Sequence, residues 1–187
     1  MTTATQTEQE RLTGDYTLDP AHTSIGFQAR HAMVTRVRGQ FKDFEGSFHL
    51  DPSNPQNSSA TVTIQAKSID TGNADRDAHL RSNDFFAMDE YPEIKFVSTS
   101  AERIDNTSFK LTGDLSIRGV TRPVSINFHY NGVEIDPWGN TRAGFEGSTE
   151  VNRKDWGVSW NAALDSGGVL VSDKVKLEFD VAATKNV

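Results

Sequence analysis

"HTSIGFQARHAM", residues 22–33, alternates in steps of two. Thr23, Ile25, Phe27, Ala29, His31 and Met33 share one parity, and Ser24, Gly26, Gln28 and Arg30 share the other. In an extended chain, alternate side chains point to opposite faces. The stretch is therefore a half-buried strand of about ten residues, about 33 Å long at ~3.3 Å per residue.

The same period recurs down the chain. Val37, Gly39 and Phe41 continue it, and the parity then switches to Phe44, Gly46, Phe48 and Leu50. A switch inside one apolar run predicts a bulge or strand break at Lys42-Asp43. "DPSNPQNSS" is a loop of turn-formers. Further alternating runs carry Ala60, Val62, Ile64 and Ala66, then Ile94 and Phe96, then Phe109, Leu111, Gly113, Leu115 and Ile117. Three more carry Val124, Ile126, Phe128 and Tyr130, then Ala143, Phe145, Gly147 and Val151, then Val175, Leu177, Phe179, Val181 and Ala183. Short turn signals at "RGVTRP", "DPWGN" and "DSGGV" punctuate them.

About eight long antiparallel strands predict an all-β sandwich or barrel, and strand length favours the barrel. An eight-stranded barrel has an interior that side chains fill, or that holds one small ligand. The predicted inner face carries Phe27, Phe41, Phe96, Phe109, Phe128, Phe145 and Phe179, interspersed with Ala29, Gly39, Gly113 and Gly147. Two readings of this pattern stand side by side. Large and small residues can alternate to fill a core, or aromatics can wall an apolar tunnel in which small residues leave space.

One segment breaks the period. "TGNADRDAHLRSNDFFAMDEYPEIKF", residues 71–96, is charged and helix-like. Thr71 or Asn73 is a candidate N-cap, Asp75 and Asp77 suit the first turn and Arg81 the last, and Pro92 returns the chain to extended structure. A helix of one or two turns over 73–88 would cover a barrel end as a lid, with Leu80, Phe85, Phe86 and Met88 beneath it. The plainer reading is a crossover whose aromatics complete the core.

Composition narrows the function. The chain has 187 residues and a formal charge of −7, with 35% hydrophobic and 24% charged residues, which suits one folded domain. The acidic balance argues against nucleic acid, and the pairs Arg36/Arg38 and Arg118/Arg122 read as solvated wall and turn residues. Without cysteine there is no disulfide, thiolate metal site or thiol nucleophile. No apolar run reaches the ~18 residues of a membrane span. Residues 1–13 read as a polar, poorly ordered tail without a signal-type apolar core, and 14–187 as one domain. The expected location is cytoplasmic.

The stretches "YTLDPAHTSIGFQARH" (16–31), "GQFKDFEGSF" (39–48), "SIDTGNADRDAHLRSNDFFAMDEYPEIKF" (68–96), "LTGDLSIRGVTRPVSI" (111–126) and "VNRKDWGVSW" (151–160) together resemble the YceI-like family, which is lipocalin-like and associated with polyisoprenoid binding. The resemblance covers nearly the whole chain after residue 15, and the central stretch is its most distinctive part. It implies an extended eight-stranded antiparallel barrel around a long hydrophobic pore, with a polyprenyl-type lipid as ligand. Many members carry a cleaved leader, and this sequence departs from them in showing none.

Catalytic alternatives are weaker. Asp19, His22 and Ser24 sit together in sequence, but a turn leading into a strand gives no triad geometry, and there is no GxSxG elbow. Asp75 and Asp77, two apart on a helix, do not face each other. No histidine pair has compact zinc-ligand spacing. His31, inward by parity, would pair with a buried group, touch a ligand headgroup, or join a metal site from distant strands.

The expectation is a binding protein without a cofactor. Its ligand contacts are Phe27, His31, Phe41, Leu80, Phe85, Phe86, Phe96, Phe109, Leu115, Phe128, Phe145 and Trp160. Arg76, Arg81 and Arg153 are headgroup candidates. Trp156 and Trp160, four apart, would share a strand face. The alternatives are an enzyme acting on an apolar prenylated substrate with His31 as acid or base, and a filled barrel that dimerises along an edge.

Overall fold

The computed structural model describes residues 10–186. Eleven strands follow in order: β1 (Gly14–Leu18), β2 (Ser24–His31), β3 (Thr35–Phe41), β4 (Phe44–Leu50), β5 (Ser59–Gln65), β6 (Ile69–Asp70), β7 (Glu93–Arg103), β8 (Ser108–Ile117), β9 (Val120–Ile135), β10 (Thr141–Asn152) and β11 (Lys174–Lys185). Helix α1 (Ala74–Arg81) lies between β6 and β7.

These strands make eight staves of a closed antiparallel barrel. β1 and β2 both pair with β11, at Leu18↔Ala183 and Ser24↔Asp180, so they are the two halves of one interrupted stave. β3 pairs with β2 and β4 with β1, which makes the second stave another broken strand. The break falls at Lys42-Asp43, where the parity switch predicts it. β5, β7, β8, β9, β10 and β11 follow around the wall, and β1 closes it against β11. β10, with 12 residues, is about 40 Å long at ~3.3 Å per residue.

Local chemistry explains the joints. The β8–β9 turn puts Arg118 (φ 52°) and Gly119 (φ 74°) in the left-handed region, as a two-residue type I′ hairpin requires. At the break between β1 and β2, Asp19 accepts from the Ala21 amide at 3.0 Å and lies 2.8 Å from His22 Nδ1. Arg142 donates to Asp19 at 2.7 Å and to Asp136 at 2.8 Å. Asp19 and His22 thus organise a turn, and Ser24 opens β2 opposite Asp180.

The wall is incomplete on one side. Between β3 and β7 the only added pairing among the described residues is the two-residue β6 on Phe41 and Gln40. The excursion from Ala66 to Pro92 fills this gap with α1 and the turn after it. Two expectations need correction. Leu12, assigned to a loose tail, is 5% exposed, and its carbonyl accepts the Tyr16 hydroxyl at 2.7 Å; residues 1–9 lie outside the described residues. Trp156 and Trp160 are not on a strand. Asn152 caps a 3-10 turn over Arg153–Trp156, and Gly157 (φ 75°) ends it.

Candidate ligand-binding bore

Inside the barrel is a cavity of about 410 Å³, within the ~300–1,000 Å³ usual for ligand sites. Ten of the eleven phenylalanines line it, all but Phe44. All seven that parity assigns to the inner face are among them. Their rings form a belt in two runs: Phe109 stacks on Phe128 at 5.6 Å and meets Phe145 edge-on at 5.8 Å, and, separately, Phe41 bridges Phe27 (5.7 Å) and Phe86 (5.9 Å).

The glycines explain how so many rings leave a hollow. Gly39 is the cross-strand partner of Phe27, and a Cβ there would lie 2.4 Å from the Phe27 ring. Gly147 is opposite Phe128, and its Cβ would meet that ring at 2.7 Å. At Gly113 the same test gives 2.5 Å to Phe96. The glycines therefore do not open gaps in the bore. Each gives a neighbouring ring a place to lie flat on the wall instead of standing across the lumen.

One end is closed. α1 begins at Asn73, whose side chain accepts the Arg76 amide at 2.9 Å. Its apolar cover comes from Leu80 and from the turn that follows, where Phe85 is 5% and Ala87 3% exposed. His79 sits edge-on to Phe85 (5.1 Å) and to Trp160 (4.6 Å), and its Nε2 lies 2.8 Å from Asp84. Beside this plug, the Trp156 indole donates to the Leu115 carbonyl at 2.8 Å. Arg153 is 7% exposed and donates to the carbonyls of Val158 (2.6 Å), Ser172 (2.9 Å) and Val171 (3.4 Å). Burial pulls its pKa down, against the nearby Asp173 carboxylate. Arg118 ties the plug to the neighbouring loop through Asn83 and Gly157 carbonyls.

The other end is a mouth. The β4–β5 and β7–β8 loops line it with Asp51, Ser58, Arg103, Asp105, Asn106 and Thr107, and Leu12 packs beside them. Asp51 accepts from the Asn54 amide at 3.1 Å, and Asp105 from the Thr107 amide at 2.9 Å.

Most predicted wall residues fall where parity puts them. Phe27, Phe41, Phe96, Phe109, Leu115, Phe128 and Phe145 line the bore, and Leu80, Phe85 and Phe86 line its closed end. His31 does not: it is exposed, at the end of β2, bridged to Val171. Parity sets the face of a strand but not where the lumen stops, and β2 outruns it. With His31 outside, the prenyl-substrate enzyme built on it loses its acid or base. Trp160 packs on the plug and not on the bore.

The headgroup candidates also fail, for one shared reason. Arg76 donates to the Thr71 hydroxyl and carbonyl, both at 2.7 Å, and Arg81 to the carbonyls of Lys67 and Ile69. Arg153, though in the lining, is held by three carbonyls. Each satisfies backbone acceptors that an irregular segment leaves open. Sequence reasoning missed the mouth residues Arg103 and Asn106, although "IDNTS" (104–108) carries a turn signature between two strands. Among the described residues, no group of three or more His, Asp or Glu is placed to hold a metal, and no helix is long and apolar enough to cross a membrane.

The sequence profile of the YceI-like domain matches residues 16–183. A UPF0312 protein of Shewanella denitrificans is 42% identical over 173 residues, which is 91% of this chain and 87% of that protein. The Campylobacter jejuni YCEI protein, solved as a crystal form with large solvent channels, superposes with a TM-score of 0.73 at 32% identity, over 91% of this chain and 97% of that one. A polyisoprenoid binding domain from Saccharophagus degradans, described as implicated in plant cell wall breakdown, superposes with a TM-score of 0.70. It covers 91% of this chain and 98% of that domain at 12% identity, a likeness of fold.

Proposed function

This chain belongs to the YceI-like family, and from that premise we propose that it binds and carries a polyisoprenoid lipid whose tail lies in the bore. The observation that carries the reading is the bore itself: an apolar cavity of about 410 Å³ kept open by rings laid flat on glycines. The name given to the Saccharophagus domain agrees with it.

The energetics suffice without catalytic or strongly polar groups. A buried methylene contributes about 0.8 kcal/mol, so a five-carbon isoprene unit contributes about 3–4 kcal/mol gross before ordering costs. Three or four units exceed the ~8 kcal/mol of a micromolar complex. Branched, stiff prenyl chains suit an aromatic wall, because fewer rotors must be ordered on binding.

Native mass spectrometry of the purified protein, with lipid extraction, tests this. The expected result is a co-purified prenyl lipid, or uptake of a 20-carbon prenyl alcohol at a ratio of one to one. A protein that takes up no prenyl compound would refute the proposal.

A further inference from the structure

The β2–β3 hairpin outruns the lumen at the closed end, and its tip takes no part in the bore. Met33 is 59% and Val34 76% exposed there. Ala32 (φ 50°) and Met33 (φ 65°) both adopt the left-handed backbone, where glycine or asparagine is the usual occupant of a hairpin turn. Large apolar side chains are thus held in water on a strained backbone, a combination that marks functional sites. The loop after the Arg153 turn supports this tip. The Ala32 amide donates to the Leu170 carbonyl at 2.7 Å, and the Met33 sulfur lies so close over Gly168 that no Cβ would fit between them. Val169, also exposed, extends the apolar surface.

Behind the tip, the outer face of the hairpin is cationic. Arg30 is the direct cross-strand partner of Arg36, and Arg38 is that of Gln28. The three arginines share the face opposite Phe27 and Gly39, and all are exposed. Like charges opposed across a sheet destabilise it. Among the described residues, none of the three side chains has an ion pair or a hydrogen bond. The carboxylates on the flanking strands are engaged elsewhere, Glu178 by Gln28 and Lys176, and Asp70 by Lys42. Residues 30–38 and 161–171 hold one carboxylate between them, Asp165. The chain's net charge of −7 is therefore carried elsewhere, along a barrel several times longer than the ~8 Å reach of a charge at physiological salt. A second exposed apolar tip makes the contrast. Ile135 and Trp138 are exposed at the β9–β10 turn, but the charges there are Glu134, Asp136 and an Arg142 already held by Asp19 and Asp136.

We propose that the β2–β3 hairpin docks the protein on an anionic membrane surface. Met33, Val34 and Val169 enter the acyl boundary, and Arg30, Arg36 and Arg38 meet the lipid phosphates. The depths agree. At ~3.3 Å per residue, Arg36 stands ~7 Å and Arg38 ~13 Å behind Val34. An interfacial apolar segment sinks ~5–10 Å, which brings the guanidiniums to the level of the headgroups, where their stems lie along apolar surface and their heads stay wet. A nucleic acid or an acidic peptide would engage the arginines and leave the apolar tip in water. Docking of this kind does not depend on what the bore holds, and it sets the plugged end towards the bilayer.

The chain has no cysteine, so the variant Val34→Cys takes a single environment-sensitive fluorophore. Vesicles of phosphatidylcholine and phosphatidylglycerol in equal parts, free of prenyl lipid, should shift its emission to the blue. The same label on Trp138→Cys should not respond. Co-sedimentation of the unlabelled protein with these vesicles should be about a hundredfold stronger than with phosphatidylcholine alone, at about fivefold for each arginine near a charged surface. Added salt should weaken it. The triple variant Arg30→Gln/Arg36→Gln/Arg38→Gln should lose the preference, and Met33→Ser/Val34→Ser should weaken binding at least about tenfold with the arginines in place. Equal binding to both vesicles would overturn the proposal, as would a response from the Trp138→Cys label in place of the Val34→Cys label. So would a DNA oligonucleotide that binds through the arginines as tightly as the vesicles do while the Val34→Cys label stays in water. Uptake of a prenyl alcohol without vesicles reports on the bore alone, so the failure of one reading is distinguishable from the failure of the other.

Discussion

The two ends of the barrel are built from similar residues and do opposite things. Both have irregular loops, an arginine in the bore lining and acidic neighbours. At the α1 end, every arginine named as a headgroup candidate is locked onto backbone carbonyls, and Phe85, Trp156 and Arg153 are buried. At the mouth, among the described residues, Arg103 holds one carbonyl and Asn106 none. The difference follows from backbone accounting. An end closed by non-repetitive chain leaves carbonyls without partners, and burial makes each one costly. Long cationic side chains supply the missing donors. A charged residue beside a pocket is therefore a recognition group only after its backbone obligations have been counted.

Breaking the plug should have the largest effect. Arg153→Ala strands three carbonyls and lowers stability by about 3 kcal/mol or more, measurable by urea unfolding. Arg103→Ala, at an exposed position, should stay within about 0.5 kcal/mol. A reversed order would exchange the roles of the two ends.

Next comes the wall between them. Gly39→Ala forces the Phe27 ring off its seat, at 2.4 Å from the new Cβ. It should cost about 1–3 kcal/mol and weaken prenyl-alcohol binding as the ring swings into the lumen. The control is Gly144→Ala on β10, whose new Cβ meets nothing nearer than 3.7 Å, and it should do neither. Equal effects at both sites would refute the account of how the bore stays open. Replacing Phe128, at the middle of the belt, by Asp should weaken binding far more than Arg76→Ala, because it puts a carboxylate against the tail.

The smallest effect is at the β1–β2 break. The Arg142 guanidinium and then His22 hold the Asp19 pKa down at about 2. A carboxyl lowered on folding stabilises the fold above its unfolded value. The advantage of the native protein over Asp19→Asn should therefore be complete above about pH 4 and fade as pH falls towards 2. A difference that stays constant across that window would show that the charge is not what holds the turn.

Much of the fold is legible in the sequence because a strand writes its two faces in period two. The eight staves, the break at Lys42-Asp43 and the inward phenylalanines all follow from that period. It carries no information on where the lumen ends, and so His31, with the parity of Phe27, lies outside. Nor does it apply where the chain leaves extended geometry. The "NRKDWG" turn buries Arg153 and Trp156 by a cap at Asn152 and a left-handed Gly157, geometry that period two does not encode. The mouth was hardest to read, because Arg103 looks like any strand-end arginine until the Pro52 loop is folded over it.

The central claim is that a prenyl tail occupies the lumen alongside the aromatic belt. Isotope-filtered NOE spectroscopy on the protein bound to geranylgeraniol tests it most directly. The account predicts contacts from the tail methyls to the ring protons of Phe109, Phe128 and Phe145. Contacts confined to exposed aromatics such as Trp138, 79% exposed on the outer surface, with none to the belt, would contradict it.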